Sequence, residues 1–324
     1  MNTYLIRLRL TGRIRTPLES DTLWGHLAWG YRYRHGNDAL CQWLQAYETP
    51  EPPLIISSPM PAGYLPVPEL PPPHLSNESF SIDQYQTMKK ARRIEWLPRD
   101  TWATIMGNLD QDTLMHALIE ADHSHDSVVY DTETHASINR LSGGTAQEDG
   151  GTLYTIPTGY TSEQHQDFDV WAVSNMTVDQ ITQIFEDGLM GGYGRDGSNG
   201  CGHLVVCDVQ PDALPRCEQP NALITLGPAT PSKSDPPARY APIDIRAGRL
   251  GGLYAIQVTE SGSTRREKRP VRMLRRGSVL MANGSHRSWI GRLVGSVHED
   301  PAIRHYAFAP LMACRLHELT EAKS

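Results

Sequence analysis

Apolar and polar residues alternate from Tyr4 to Arg15, with Ile6, Leu8, Leu10 and Ile14 on one side and Arg7, Arg9, Arg13 and Arg15 on the other. This predicts a strand with one packed face and one basic face. The period then changes. Ser20-Asp21 precede the helical stripe Leu23, Trp24, Leu27, Ala28 and Tyr31, with Ser20 as candidate cap. Gly36-Asn37 separates it from a second short helix, Asp38 to about Tyr47. From Pro50 to Pro73 ten of 24 residues are proline. That stretch is expected to be extended or irregular, with Leu54 to Ile56 suited to an edge strand.

Residues from about 75 to 150 read as an insertion. They hold the basic run Lys89, Lys90, Arg92 and Arg93, a helix from Asp110 to about Ala121, and a polar stretch from His123 to Gly151. Strands are predicted at Leu153 to Tyr160 and Phe168 to Asn175. Thr177 and Gln180 form a capping box ahead of the stripe Ile181, Ile184, Phe185 and Leu189. A glycine-rich segment follows, then a strand from His203 to Val209. Strand, helix, strand, strand, helix, strand is the ferredoxin-like (RRM-like) order, of class α+β. A boundary near Pro211 to Pro220 divides the chain into 1–212 and 213–324. The second part is expected to carry strands at Ala222 to Leu226, Leu253 to Thr259, Ser278 to Ala282 and Leu311 to His317.

The 324 residues suit two domains of ordinary size, and 39% hydrophobic with 21% charged residues is a globular composition. No run approaches the roughly 18 apolar residues of a membrane span, and no secretory signal is visible at the N-terminus, so a cytoplasmic location is expected. The five cysteines are never spaced as CxxC, which argues against a disulfide framework or a zinc ribbon. The net charge of -7 disfavours diffuse nucleic-acid binding. Its distribution changes that picture, because Arg265, Arg266, Lys268, Arg269, Arg272, Arg275 and Arg276 lie close together, opposed there only by Glu267.

The segment Gly191 to Gly202 contains Gly191, Gly192, Gly194, Arg195, Asp196, Gly197, Ser198, Asn199, Gly200 and Gly202 between a helix and a strand. Glycine allows positive φ and close approach, so the run suits presentation of successive N–H groups to phosphate, with Ser198, Asn199 and Arg195 adding polar contacts. A dinucleotide loop follows a strand and opens a helix, and a P-loop ends in Gly-Lys-Ser/Thr; neither holds here.

With its neighbours, this loop resembles the RAMP superfamily of CRISPR proteins, and within it the fourth-subunit family of the type III-A Csm complex. Gly192 to Gly202 is similar to that family's loop. Ser20 to Gly25 resembles its first-helix signature, Leu54 to Pro68 its serine- and proline-rich stretch, Lys89 to Pro98 its basic segment, and His135 to Tyr160, with Asn139-Arg140, its RNA-kinking thumb. One departure stands out: Arg195-Asp196-Gly197 replaces a common Lys-Arg pair, so the loop is less basic.

The resemblance implies two ferredoxin-like domains, with a long insertion and a thumb hairpin in the first. It implies a non-catalytic RNA-binding subunit without cofactor or metal, part of a hetero-oligomeric ribonucleoprotein complex. Its partners would be the 5′ handle of a guide RNA, the large polymerase-cyclase subunit and a Csm backbone subunit, with no membrane involved. The candidate RNA contacts are Arg13, Arg15, Ser20, Arg92, Arg93, Arg140, Arg272, Arg275 and Arg276 besides the loop, which is expected to bind mainly through backbone N–H groups. The alternatives are the equivalent type III-B subunit and a metal-independent processing endoribonuclease using His26 or His35 with Tyr31 or Tyr33. His123-Ser124-His125-Asp126 is a candidate metal cluster that more often is simply solvated.

Overall fold

The computed structural model describes residues 1–71, 82–121, 128–138, 143–145, 153–284 and 287–317. Arg140 and the His123 to Asp126 cluster lie outside the described residues.

The first half opens with β1 (Asn2–Leu10), α1 (Ser20–His35), α2 (Asn37–Ala46), β2 (Leu54–Ile56), β3 (Met60–Pro61) and β4 (Tyr64–Pro66). The insertion adds α3 (Ile82–Ala91), β5 (Trp96–Pro98), α4 (Arg99–Ile105), α5 (Gln111–Glu120) and the hairpin β6 (Val129–Ala136) and β7 (Leu153–Tyr160). Then come β8 (Asp167–Ser174), α6 (Val178–Leu189) and β9 (Leu204–Pro211). The second half holds β10 (Ala222–Thr225), β11 (Ala238–Tyr240), β12 (Ile243–Arg246), β13 (Val271–Leu274), β14 (Val279–Met281), β15 (Trp289–Val294) and β16 (His305–Cys314).

The first sheet has the order β2-β8-β1-β9 and is antiparallel throughout, with β3 also on β8. This is the strand order of a ferredoxin-like unit, so the class read from the sequence stands: α+β. Helices α1 and α6 cover one face, where Ile6, Leu8, Phe168 and Val170 meet Leu27, Ile184 and Phe185. The helices cross in backbone contact. A Cβ on Gly30 would stand 2.5 Å from the Gly188 nitrogen, so only glycine permits this approach. The Thr177–Gln180 capping box starts α6 as predicted. At α1 the cap is Glu19 rather than Ser20, and its side chain makes no capping bond; the Ser58 hydroxyl accepts from the Ser20 N–H at 3.2 Å and the Asp21 carboxylate from the Thr22 N–H at 2.9 Å instead.

The strand periodicity at the N-terminus holds only to Leu10; Ile14 makes an isolated bridge to Gly159. The other face of β1 is not a free basic surface. The register sets Arg7 opposite Asp169 and Arg9 opposite Asp167, and the pairs close at 2.9 and 2.6 Å. That face also carries Leu5 and Trp171 into a second core with Met60 of β3, Leu65 of β4, Trp102 of the insertion, and Ile224 and Met312 of the second half.

The second sheet has the order β11-β14-β10-β16-β15. Among the described residues its strands are joined by loops, and Gly252–Ala255 is a short 3-10 turn where a strand from Leu253 is expected. Gly252 lies on the Trp29 indole with φ +54, which breaks the extended run. Strand ladders stay within each half, but the cores do not. Tyr306 and Phe308 of β16 belong to the core under α1, and the Tyr306 hydroxyl accepts from the Ile56 N–H at 2.7 Å. Among the described residues no helix is long and apolar enough to cross a membrane.

Candidate nucleic-acid interface

Helix α6 delivers the chain to the glycine loop, and the loop folds around one aromatic anchor. Tyr193 is fully buried; its hydroxyl donates to the Pro17 carbonyl at 2.6 Å and accepts from the Glu19 N–H at 2.9 Å. Burial lifts this phenol far above its usual range. Around it the backbone is tightly bonded. Tyr193 N–H donates to the Gly202 carbonyl and Gly202 N–H to that of Arg13, at 2.8 and 2.7 Å. Gly194 N–H donates to His26 Nε2 at 2.9 Å, and Arg195 N–H to the Thr16 hydroxyl at 2.8 Å.

The glycines are required by crowding as well as by torsion. Gly194 (φ +71) would place a Cβ 2.4 Å from Thr16, and Gly202 (φ +65) would place one 2.0 Å from the Tyr193 oxygen. Gly191 and Gly200 face open space.

Two consequences follow for the loop's chemistry. Most of its N–H groups hold the loop together, so a general backbone cradle is not what the geometry offers. The N–H groups of Gly191, Asp196, Gly197 and Ser198 are the ones without such a bond among those the hydrogen-bonding pattern describes, the last three at a tip where Arg195, Ser198 and Asn199 are exposed. The second concerns His26. Burial brings its pKa down to about 4, so the ring is neutral and acts as the acceptor for Gly194.

Beside the loop stands the β6–β7 hairpin, paired from Val129–Tyr160 to Ala136–Leu153. Leu153, Tyr154, Tyr160, Val129 and Tyr130 are exposed along it. Glu133 is its polar hub. It accepts from Arg13 at 3.1 Å, from Arg15 at 2.6 Å and from the Tyr160 hydroxyl. The Tyr160 bond first, then Arg15, hold the carboxyl down at about 2. Arg15 also donates to Asp196 at 2.5 Å, and its side chain is only 5% exposed.

The site residues read from the sequence therefore separate. Arg13 and Arg15 do lie against the loop, but Arg15 is enclosed between two carboxylates and is not presented to a phosphate. Ser20 is fully buried and likewise unavailable. Arg275 is paired with Asp244 at 2.9 Å and Glu69 at 3.6 Å. Arg276 lies 4.1 Å over the Trp96 ring and 3.2 Å from Glu95. Arg92, Arg93, Arg195 and Arg272 remain exposed. Glu133, Tyr193 and Thr16 carry the construction of the site, and the sequence alone had no signal for them beyond their proximity to flagged residues.

No protein-family model and no curated protein matches this sequence. Solved structures do match across nearly all of it. Csm4 of a Csm1–Csm4 cassette in complex with pppApA superposes with a TM-score of 0.59 at 15% identity, covering 98% of this chain and all of that one. The cassette with AMPPNP gives 0.57 at 16%, again over 98% and 100%. The Csm3–Csm4 subcomplex of the type III-A interference complex gives 0.55 at 13%, over 96% and 98%. The fold is that of Csm4. The match to this RAMP-like fold extends over 98% of the chain.

Proposed function

We propose that this chain is a non-catalytic RNA-binding subunit of a type III-A CRISPR-Cas effector complex. In this role it caps the 5′ handle of the guide RNA and bridges the large polymerase-cyclase subunit to a backbone subunit. The observation that carries the reading is the full-length Csm4-like fold with the glycine loop set directly against the hairpin. The partners follow from the company of the similar chains, which were solved with Csm1 and with Csm3.

The loop tip and the hairpin contribute different things. The tip offers Arg195, Ser198 and Asn199 to phosphate and sugar, while the exposed aromatic residues of the hairpin suit stacking against splayed bases. Support for a non-catalytic role comes from His26, which serves as a neutral acceptor inside the loop.

The test is purification of the tagged full-length chain from cells that carry its whole effector system. A short RNA with a constant 5′ end and a large partner subunit are expected to co-purify. Recovery of the chain without RNA, or cleavage of repeat RNA in EDTA that depends on His26 or His35, overturns the proposal.

A further inference from the structure

A cleft lies apart from the tip of the glycine loop, where four parts of the chain converge. Its volume is about 950 Å3, at the upper end of the range for small-ligand sites, about 300–1,000 Å3. The insertion contributes Lys90, Arg93 and Trp96, the hairpin base Tyr130, the segment before α1 Glu19, and the second half Arg276. Glu19 joins this cleft to the glycine loop, since its backbone N–H is held by the Tyr193 hydroxyl.

Within the cleft, the Arg276 guanidinium is stacked on the Trp96 indole at 4.1 Å and is only 17% exposed. Glu95 at 3.2 Å and Glu19 at 3.7 Å hold it there. An arginine fixed flat on a ring is a planar cation, and such planes stack well on nucleobases. The same two carboxylates are acceptors within reach of that stack and match base N–H groups. Lys90 and Arg93 are exposed on α3 and just after it, which suits the phosphate of a nucleotide whose base lies inside. Tyr130 is exposed and adds a second ring. The mixture explains why the cleft is not uniformly basic: a phosphate-only groove has no use for Glu19, Glu95 and Asp244, whereas a base has.

We infer that this cleft is a nucleotide pocket that takes one splayed base of single-stranded RNA onto the Arg276–Trp96 stack. The inference rests on the RNA-binding reading and adds a specific site to it. Stacking on a held aromatic or arginine plane contributes enough that its loss weakens binding on the order of tenfold.

The experiment uses the full-length chain and single-stranded RNA of about 12 nucleotides, carrying 4-thiouridine at one position at a time. Photo-crosslinks mapped by mass spectrometry are expected at Trp96 or Tyr130 for one position only. Filter binding with Trp96→Leu is expected to be on the order of tenfold weaker. Because Trp96→Leu also removes support for Arg276, the exposed variants Tyr130→Ala and Lys90→Glu with Arg93→Glu are measured alongside, and both are expected to weaken RNA retention at unchanged thermal midpoint. If RNA is retained at full affinity by all of these variants and crosslinks fall elsewhere, this inference is overturned while the RNA-binding reading stands. If the wild-type chain retains no RNA, both fall.

Discussion

The Arg15 guanidinium and the Asp196 carboxylate meet at 2.5 Å in the seam between the hairpin and the glycine loop, with Glu133 on the other nitrogen of Arg15 at 2.6 Å. An acidic residue in a loop proposed to face RNA is thus accounted for: its charge is spent on positioning the loop. Arg15→Met leaves Glu133 and Asp196 facing each other without their shared cation. We expect lower RNA retention and a lower thermal midpoint, whereas Asp196→Asn keeps a hydrogen bond to Arg15 and raises RNA retention by removing one negative charge. Filter binding at two salt concentrations reads both effects, and equal retention by the two variants contradicts the assignment.

Gly202 and Gly200 separate crowding from torsion. Both have positive φ, but only Gly202 lacks room for a Cβ. Gly202→Ala is expected to destabilise by about 3 kcal/mol or more, and Gly200→Ala by about 1 kcal/mol. Urea denaturation of the two variants gives the ordering, which reverses if the loop is rebuilt around Tyr193 in another way.

A Cβ on Gly191 would meet nothing within 4 Å, and the residue does not have positive φ. Gly191→Glu is expected to leave stability unchanged and to reduce RNA retention by adding a negative charge where the loop leaves α6. Retention equal to wild type removes this end of the loop from the interface.

Acid should loosen the structure before its carboxylates protonate. His26 and His305 are both held neutral by burial, each brought down to about 4 from 6.5, with Lys268 adding to the effect on His305. Their pKa values are lower in the folded state, so below 6.5 the unfolded chain binds more protons and stability falls as pH drops toward 4. Each histidine is expected to contribute a loss of about 2 kcal/mol between pH 7.5 and pH 5. Urea denaturation at the two pH values measures this, and His26→Gln should flatten the dependence by about half.

Tyr306 tests the joint core. Its hydroxyl accepts from the Ile56 N–H and donates to the Ile56 carbonyl at 3.1 Å, so Tyr306→Phe strands both groups of β2. A loss of about 1–3 kcal/mol is expected, in one transition seen by fluorescence and circular dichroism alike. Two separate transitions would show the halves unfolding apart.

How much of this was legible beforehand depended on the range of the interaction. The stripe of α6 and its capping box are local, and Ile181, Ile184 and Phe185 announce their face within a few residues. The partners of the arginines are not local. Arg7 is neutralised by Asp169 through strand register, and Arg15 by Glu133 and Asp196, each more than a hundred residues away. A count of positive charges along the chain therefore overstates the free basic surface. Leu253 to Thr259 has strand-like composition, but Gly252 must turn there to lie on Trp29. The glycine loop was visible as a loop, while the role of its N–H groups depended on Thr16, His26 and Arg13, which no pattern in the loop itself reveals.

Because β16 completes the core beneath α1, the chain has a built-in order of maturation. A ribosome releases β1, α1 and the glycine segment long before His305 to Cys314, and domains ordinarily fold as they emerge. Here the helix that carries His26 has no finished support until Tyr306 and Phe308 have been made. A chain cut short before β16 lacks Tyr306 and Phe308 from this core, which leaves α1, whose His26 accepts from the Gly194 N–H of the loop, incompletely packed.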